Sequence, residues 1–359
     1  MKRLKFSGLL FCLFLQIVTI NGQTDSTESA YDVSDTLSNT FGLFTNDEIL
    51  NIDLRFDVTE YRREKPKEEY MNAILTYHIN EKDSINKEIR LKSRGEFRNA
   101  YCSFPPIRLN FKKTEFQKED LKKLEKVKLV THCNSGNETY VFKEFLIYKL
   151  FNVITEYSFK VRLMKVNYID TGKKKKKPIT SYAFMIEPVE MLAERMKIIP
   201  VESINLGQAN IKPEYMDRTS IFSYMIGNTD WSVPNQHNCK IFSQPGSENP
   251  SLGIVVPYDF DYSGLVNATY AIPYEKLPIT SVLERYYLGY CRTEDEFSKA
   301  LKEFSDKKDA LYKTINDFQY LSERNRKEML NYLDGFFNLF DKNNSIVYKL
   351  LKECKEKEK

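Results

Sequence analysis

The chain has 359 residues, of which 42% are hydrophobic and 13% aromatic, enough for one large core or two lobes sharing an interface. Its 54 lysines and arginines against 50 acidic residues give a formal charge of +4, but Lys2, Arg3 and Lys5 fall in the first 22 residues. Beyond those the balance is 51 to 50, which leaves no basic surface to recommend DNA or RNA as a partner.

The opening stretch, "MKRLKFSGLLFCLFLQIVTING", runs from a charged start through an apolar centre to small Gly22, the order of a cleaved export signal. The apolar part is short and broken by Gln16, which argues against an anchor helix, and no later run is long enough to cross a bilayer. A secreted or periplasmic protein with no transmembrane segment in the mature chain is the expectation. Residues 23–46 are rich in Ser, Thr and Asp and read as a mobile leader. Five cysteines follow: Cys102, Cys133, Cys239, Cys291 and Cys354. Their wide spacing offers no CxxC zinc pattern, and the odd number predicts one or two disulfides plus a free thiol. Cys102 with Cys133 is the preferred bridge, because both flank strand-like segments in the same half.

In "EYMNAILTYHI", Met71, Ala73, Leu75, Tyr77 and Ile79 alternate on one face. "KEIRLKSRG" repeats that alternation after a polar turn, which predicts a hairpin. "PPIRLNF" and "KVKLVTH" predict two further strands. "ETYVFKEFLIYKLFNVI" carries apolar residues at helical spacing, with turn and cap residues before it at 135–137. "SFKVRLMKVNYI" and "ITSYAFMIE" read as strands joined across the tip Lys173–Lys177, most simply a solvated turn. Residues 47–187 are thus expected to form a mostly antiparallel sheet carrying one helix. After Pro188 the pattern turns helical, over "PVEMLAERM", "PEYMDRTSIFSYMIG" and everything from Glu294 onward. One strand pair, "CKIF" and "GIVVPYDF", interrupts residues 188–359.

The polar loop "GNTDWSVPNQHN" leads into that strand pair, and "PYDFDYSG" leads out of it. Antiparallel pairing brings the residue before the first strand, Asn238, near the residue after the second, Asp259. Asn and Asp oxygens so placed suit Mg²⁺, which takes few protein ligands and leaves positions for phosphate oxygens. Asp230 nearby would accept or orient a hydroxyl, which completes the working set of a phosphoryl-transfer site. Asp261 would support a second ion or the surroundings of the first. His237 and Trp231 read as a hydrogen-bonded loop histidine and a packing residue.

At this point the sequence resembles the CotH group of atypical, kinase-like proteins and, more distantly, HipA-type kinases. The resemblance spans most of residues 85–265 through "KSRGEFR", "VKLVTHC" with Lys143-Glu144 in the following helix, "SFKVRLMKVNYI" with "YAFMIE", "GNTDWSVPNQHN" and "PYDFDYSG". It implies an α+β, two-lobed protein-kinase-like fold, with an antiparallel β-rich N-lobe bearing one helix, a mainly helical C-lobe, and ATP and Mg²⁺ between them. It also implies Asp230 as the catalytic aspartate and Asp259 as the metal aspartate. For the metal asparagine, Asn235 has the usual offset from Asp230, whereas Asn238 directly precedes the strand and is preferred. The phosphate-binding cation is Arg94, Arg108 or Lys128, with Glu144 as its helix partner, and Glu187 at the end of "YAFMIE" joins the nucleotide site. The function expected is transfer of the ATP γ-phosphoryl group to a hydroxyl on a protein acceptor. The alternatives are an inactive binding module at the envelope or surface and a sugar- or peptide-binding cleft.

Overall fold

The computed structural model describes residues 40–78, 84–172, 176–202, 205–249, 251–341 and 345–357. The export signal, most of the leader, Ile79 and the lysine-tip residues 173–175 lie outside them. Strand β1 (Leu50–Phe56) buries Leu50, Ile52, Leu54 and Phe56 on one side. It pairs antiparallel with β2 (Met71–His78) and, on its other edge, parallel with β6 (Val161–Asp170), Leu50 opposite Met164 and Phe56 opposite Asp170. The remaining strands are β3 (Ser84–Ser93), β4 (Ile107–Asn110), β5 (Lys126–Val130) and β7 (Ile179–Ile186). The order β1-β2-β3-β4-β5-β7-β6 closes on itself.

This corrects the expected two-lobed arrangement. An open sheet would leave the backbone groups of β1 and β6 unpaired at its edges, and closure removes both edges. Nor does this half carry one helix. Helices α1 (Val58–Glu64), α2 (Phe97–Tyr101) and α3 (Glu138–Ile154) all belong to it. The described architecture is a closed seven-stranded barrel, a separate three-stranded sheet and helices. Leu54, Leu91, Leu109, Leu129, Met164 and Val166 fill the barrel with no exposure, each such burial contributing about 1.5–3 kcal/mol before the entropy of ordering.

Helix α3 is apolar on nearly every side, so it must be covered on every side. Phe145 and Tyr148 meet Phe184 of β7, while Phe151 meets Phe222 of α5 (Pro213–Ile226) at 4.7 Å between ring centres. Asn137 stands at its N-cap without a capping side-chain hydrogen bond. Before α5 come α4 (Val189–Met196) and β8 (Ile199–Pro200); β9 (Cys239–Ser243) and β10 (Ile254–Pro257) follow it, in the sheet order β10-β9-β8. The chain then runs without regular structure to α6 (Glu294–Asp306), α7 (Lys308–Asn316), α8 (Glu323–Asp341) and α9 (Ser345–Lys357). No helix among the described residues is long and apolar enough to cross a membrane.

Two disulfides form, Cys102–Cys133 and Cys291–Cys354, and Cys239 is a buried free thiol. Cys102 and Cys133 are 31 residues apart, and closing a loop of that size in the unfolded chain corresponds to about 3–4 kcal/mol. Replacing both by alanine should lower the denaturant-unfolding free energy by ~3–4 kcal/mol. A loss below ~1 kcal/mol would show that the bridge does not constrain the unfolded chain.

Candidate functional site

Helix α5 ends at Gly227, whose φ of 67° suits glycine and where a Cβ would collide with the Tyr332 hydroxyl. The chain then turns sharply. Asn228 Oδ1 accepts from the Asp230 amide at 3.1 Å, and Ser232 and His237 exchange backbone hydrogen bonds at 3.0 Å. This narrow loop presents Asp230, half-exposed, with both carboxylate oxygens engaged. Oδ1 lies 2.8 Å from His237 Nε2, and Oδ2 accepts from Asn238 Nδ2 at 2.9 Å. The hydrogen bond to Asp230 raises the His237 pKa against the effect of its partial burial.

Register brings in Asp259. Pro257 pairs with Cys239, and the Tyr258 amide donates to the Asn238 carbonyl at 2.9 Å. The amide of Asp259 donates to the Tyr148 hydroxyl of α3 at 2.8 Å. Asn238 (φ 49°) and Asp259 (φ 64°) both sit in the left-handed region, a conformation that costs an asparagine or aspartate less than most residues but still costs. Asn235 is instead exposed on the loop, its Oδ1 3.3 Å from the His237 amide. Of the two asparagines, only Asn238 touches Asp230.

The cations sort themselves as well. Arg94 Nη2 lies 3.9 Å from Asp259 Oδ2. Arg108 and Lys128 are opposite one another on β4 and β5, and Lys128 Nζ stands 4.0 Å above the Tyr258 ring. Burial, then the nearby Arg94 charge, pulls Lys128 down to about 7. Both line a cavity of about 190 Å³ with Lys126, Lys240, Tyr258 and Ile186.

Glu144 pairs with none of those three cations. Its partner is Arg98 of α2, 3.3 Å away and buried, which also reaches Asp261 at 3.7 Å. Tyr270 donates to the same Asp261 oxygen at 2.9 Å. Burial pushes Glu144 up to about 8 and Asp261 up to about 6, with Arg98 opposing in each case. Burial disfavours the Arg98 charge, yet Tyr270 and the acidic groups around it raise its pKa overall. Asp261 is thus a buried anchor beside the partly exposed Asp230 and Asp259. Glu187 lines the same cavity as Lys128, but Arg195 holds its two oxygens at 3.0 and 2.9 Å.

Arg98 is what reading the sequence missed, although it lies in the quoted "KSRGEFR". The signal was indirect. A glutamate in the middle of an all-round apolar helix has to be buried, and a buried carboxylate calls for a cation. Trp231, by contrast, is buried in one apolar cluster with Val233, Ile211 and Ile241, as expected of a packing residue. Among the described residues, no three His, Cys, Asp or Glu side chains converge on a metal position.

No family model matches this chain, and neither does any curated protein sequence. Among solved structures it is similar to the Helicobacter pylori proinflammatory kinase CtkA, at 10% identity and a TM-score of 0.37, covering 73% of this chain and 94% of that one. The CotH resemblance finds no matching family model.

Arg98→Met would leave the buried Asp261 carboxylate without its cation and the Glu144 carboxyl without its donor, and should cost ~3–5 kcal/mol of stability, measured by denaturant unfolding at pH 7. Glu144 binds its proton more tightly folded than unfolded, so its contribution is complete at pH 4 and is lost as pH rises through about 8. Glu144→Gln should therefore flatten the fall in stability between pH 5 and 8.5. An unchanged slope would assign that fall to other groups.

Proposed function

We propose that this chain binds Mg-ATP and transfers the γ-phosphoryl group to a hydroxyl, with a protein as the acceptor class. The observation that carries the reading is the convergence of Asp230, Asn238 and Asp259 at one end of the β9–β10 pair. Asn238 directs its amide nitrogen to Asp230, so its oxygen is the atom available to a cation, and the Asp259 carboxylate is the second ligand. One carboxylate and one carboxamide fit Mg²⁺, whose other positions are filled by water and phosphate oxygens. Bound there, Mg²⁺ would neutralise phosphate charge.

Asp230 orients the acceptor. His237 and Asn238 fix its carboxylate from two sides, and each oxygen retains a second lone pair for a hydroxyl proton. Arg94, beside Asp259, meets the phosphate end of the nucleotide. Arg108, Lys128 and Lys240 hold the remaining charge, while Ile186, Phe159 and Tyr258 give the same cavity apolar walls for a base. The left-handed backbone at Asn238 and Asp259 supports this reading, since strained positions cluster where side chains act. Residues 1–22 would direct the protein out of the cytoplasm.

Incubation with γ-labelled ATP, Mg²⁺ and a mixture of acceptor proteins should give label transfer that falls at least ~10³-fold in Asp230→Ala and in Asp259→Ala, both still folded. Lys128→Met should weaken nucleotide binding ~10-fold, read by calorimetry. Nucleotide binding without transfer would turn the reading into a binding module. No nucleotide binding at millimolar ATP would end it.

A further inference from the structure

A second cavity, of about 340 Å³, opens at one mouth of the barrel and shares no lining residue with the site above. Its wall comes from the chain just after β1, from α1, from the end of β6 and from the start of β7: Val58, Thr59, Arg62, Tyr168, Lys176 and Ile179 line it, among others. Barrel mouths are frequent ligand sites, and this volume falls at the lower end of the ~300–1,000 Å³ range of small-molecule pockets.

The charge at this mouth is one-sided. Asp170 is the carboxylate in the wall, and it is already committed to the fold. It accepts from the amides of Val58 and Gly172, each at 3.0 Å, and from the Thr59 hydroxyl at 2.6 Å. Arg63 pairs with its neighbour Glu64. Arg62 has its Nε on the Ser103 carbonyl at 3.0 Å, an anchor that fixes the guanidinium at the rim, and Lys176 and Lys177 stand exposed across from β1 on the way into β7.

The independent observation is Tyr168. It is 1% exposed, its ring tilted against Phe104 at 4.5 Å between centres, and its buried hydroxyl has no hydrogen-bond partner among the described residues. A buried polar atom left unpaired is costly, and its place in the wall of a cavity says what would relieve it. Val58, Ile179 and the tyrosine ring supply apolar contact beside that hydroxyl, and the cations lie at the rim.

We propose that the barrel mouth binds a small amphiphilic anion, a phosphate or carboxylate carried on an apolar body. The charged head rests on Arg62, Lys176 and Lys177, the body packs on Val58, Ile179 and the Tyr168 ring, and a polar atom of the ligand pairs with the Tyr168 hydroxyl. The reading is independent of the phosphoryl-transfer site.

Calorimetry on the full chain with phenyl phosphate and with benzoate separates the two head groups, and inorganic phosphate tests the need for a body. At least one of the two aromatic probes should bind at millimolar concentration or tighter, and more tightly than inorganic phosphate. Arg62→Ala should weaken that binding ~10-fold. Tyr168→Phe should weaken it ~5-fold while leaving the melting temperature of the ligand-free protein unchanged or higher, because it deletes a hydroxyl with no partner. ATP binding should be unaffected by either variant. The proposal is overturned by no binding of either probe at ~10 mM, by equal binding of inorganic phosphate, or by affinities that Arg62→Ala and Tyr168→Phe leave unchanged.

Discussion

The buried guanidinium of Arg98 is the interaction on which the placement of the site depends. Taking one charge out of water costs several kcal/mol after relaxation, and a single carboxylate at 3.3 Å does not reliably offset it. Arg98 therefore needs both Glu144 and Asp261, and these come from α3 and from the turn after β10. One side chain on a five-residue helix thus ties the barrel end, α3 and the segment bearing Asp259 to a common point. Tyr148 reinforces the tie, since it receives the Asp259 amide from the same face of α3 one turn after Glu144. The exposed carboxylates are held by a scaffold of buried ones.

Net charge hides how the ionic groups are arranged. Nearly equal numbers of acids and bases leave no overall field to steer a polyanion. The local picture differs, because cations gather at two concave places, the Lys128 cavity and the barrel mouth. Acids are meanwhile consumed inward, Asp170 by backbone amides, Glu187 by Arg195, and Glu144 and Asp261 by Arg98. Concavities that favour anions arise with only a small excess of basic residues.

Much of this was legible from local pattern. Alternation identified the β2–β3 hairpin, strand-like segments marked β4 to β7, helical patterns found α3, α4 and α5, and the strand pair with its flanking Asn238 and Asp259 followed from a turn between two apolar runs. Closure of the barrel was not legible. Leu50, Ile52, Leu54 and Phe56 do alternate, yet nothing local says that their strand pairs in parallel with one that begins more than a hundred residues later. The five residues of α2 are too few to show a period, which hid Arg98. Nor does spacing show that the helix Val189–Met196 brings Arg195 back onto Glu187. Spacing reports which residues share a face; it does not report which opposite charges meet once faces are packed.

The bond between Cys291 and Cys354 has a mechanical consequence. Cys354 lies in the last helix and Cys291 just ahead of α6, so α6, α7 and α8 hang within a covalent loop. Tension applied at the C-terminal end would bypass those three helices and arrive directly at Cys291. Glu353 beside it accepts from the Tyr287 amide at 2.7 Å, which delivers the same pull to the irregular stretch leading back to Tyr270 and Asp261. A tug on the tail is felt first at Cys291 and Tyr287, while the helices in between stay slack.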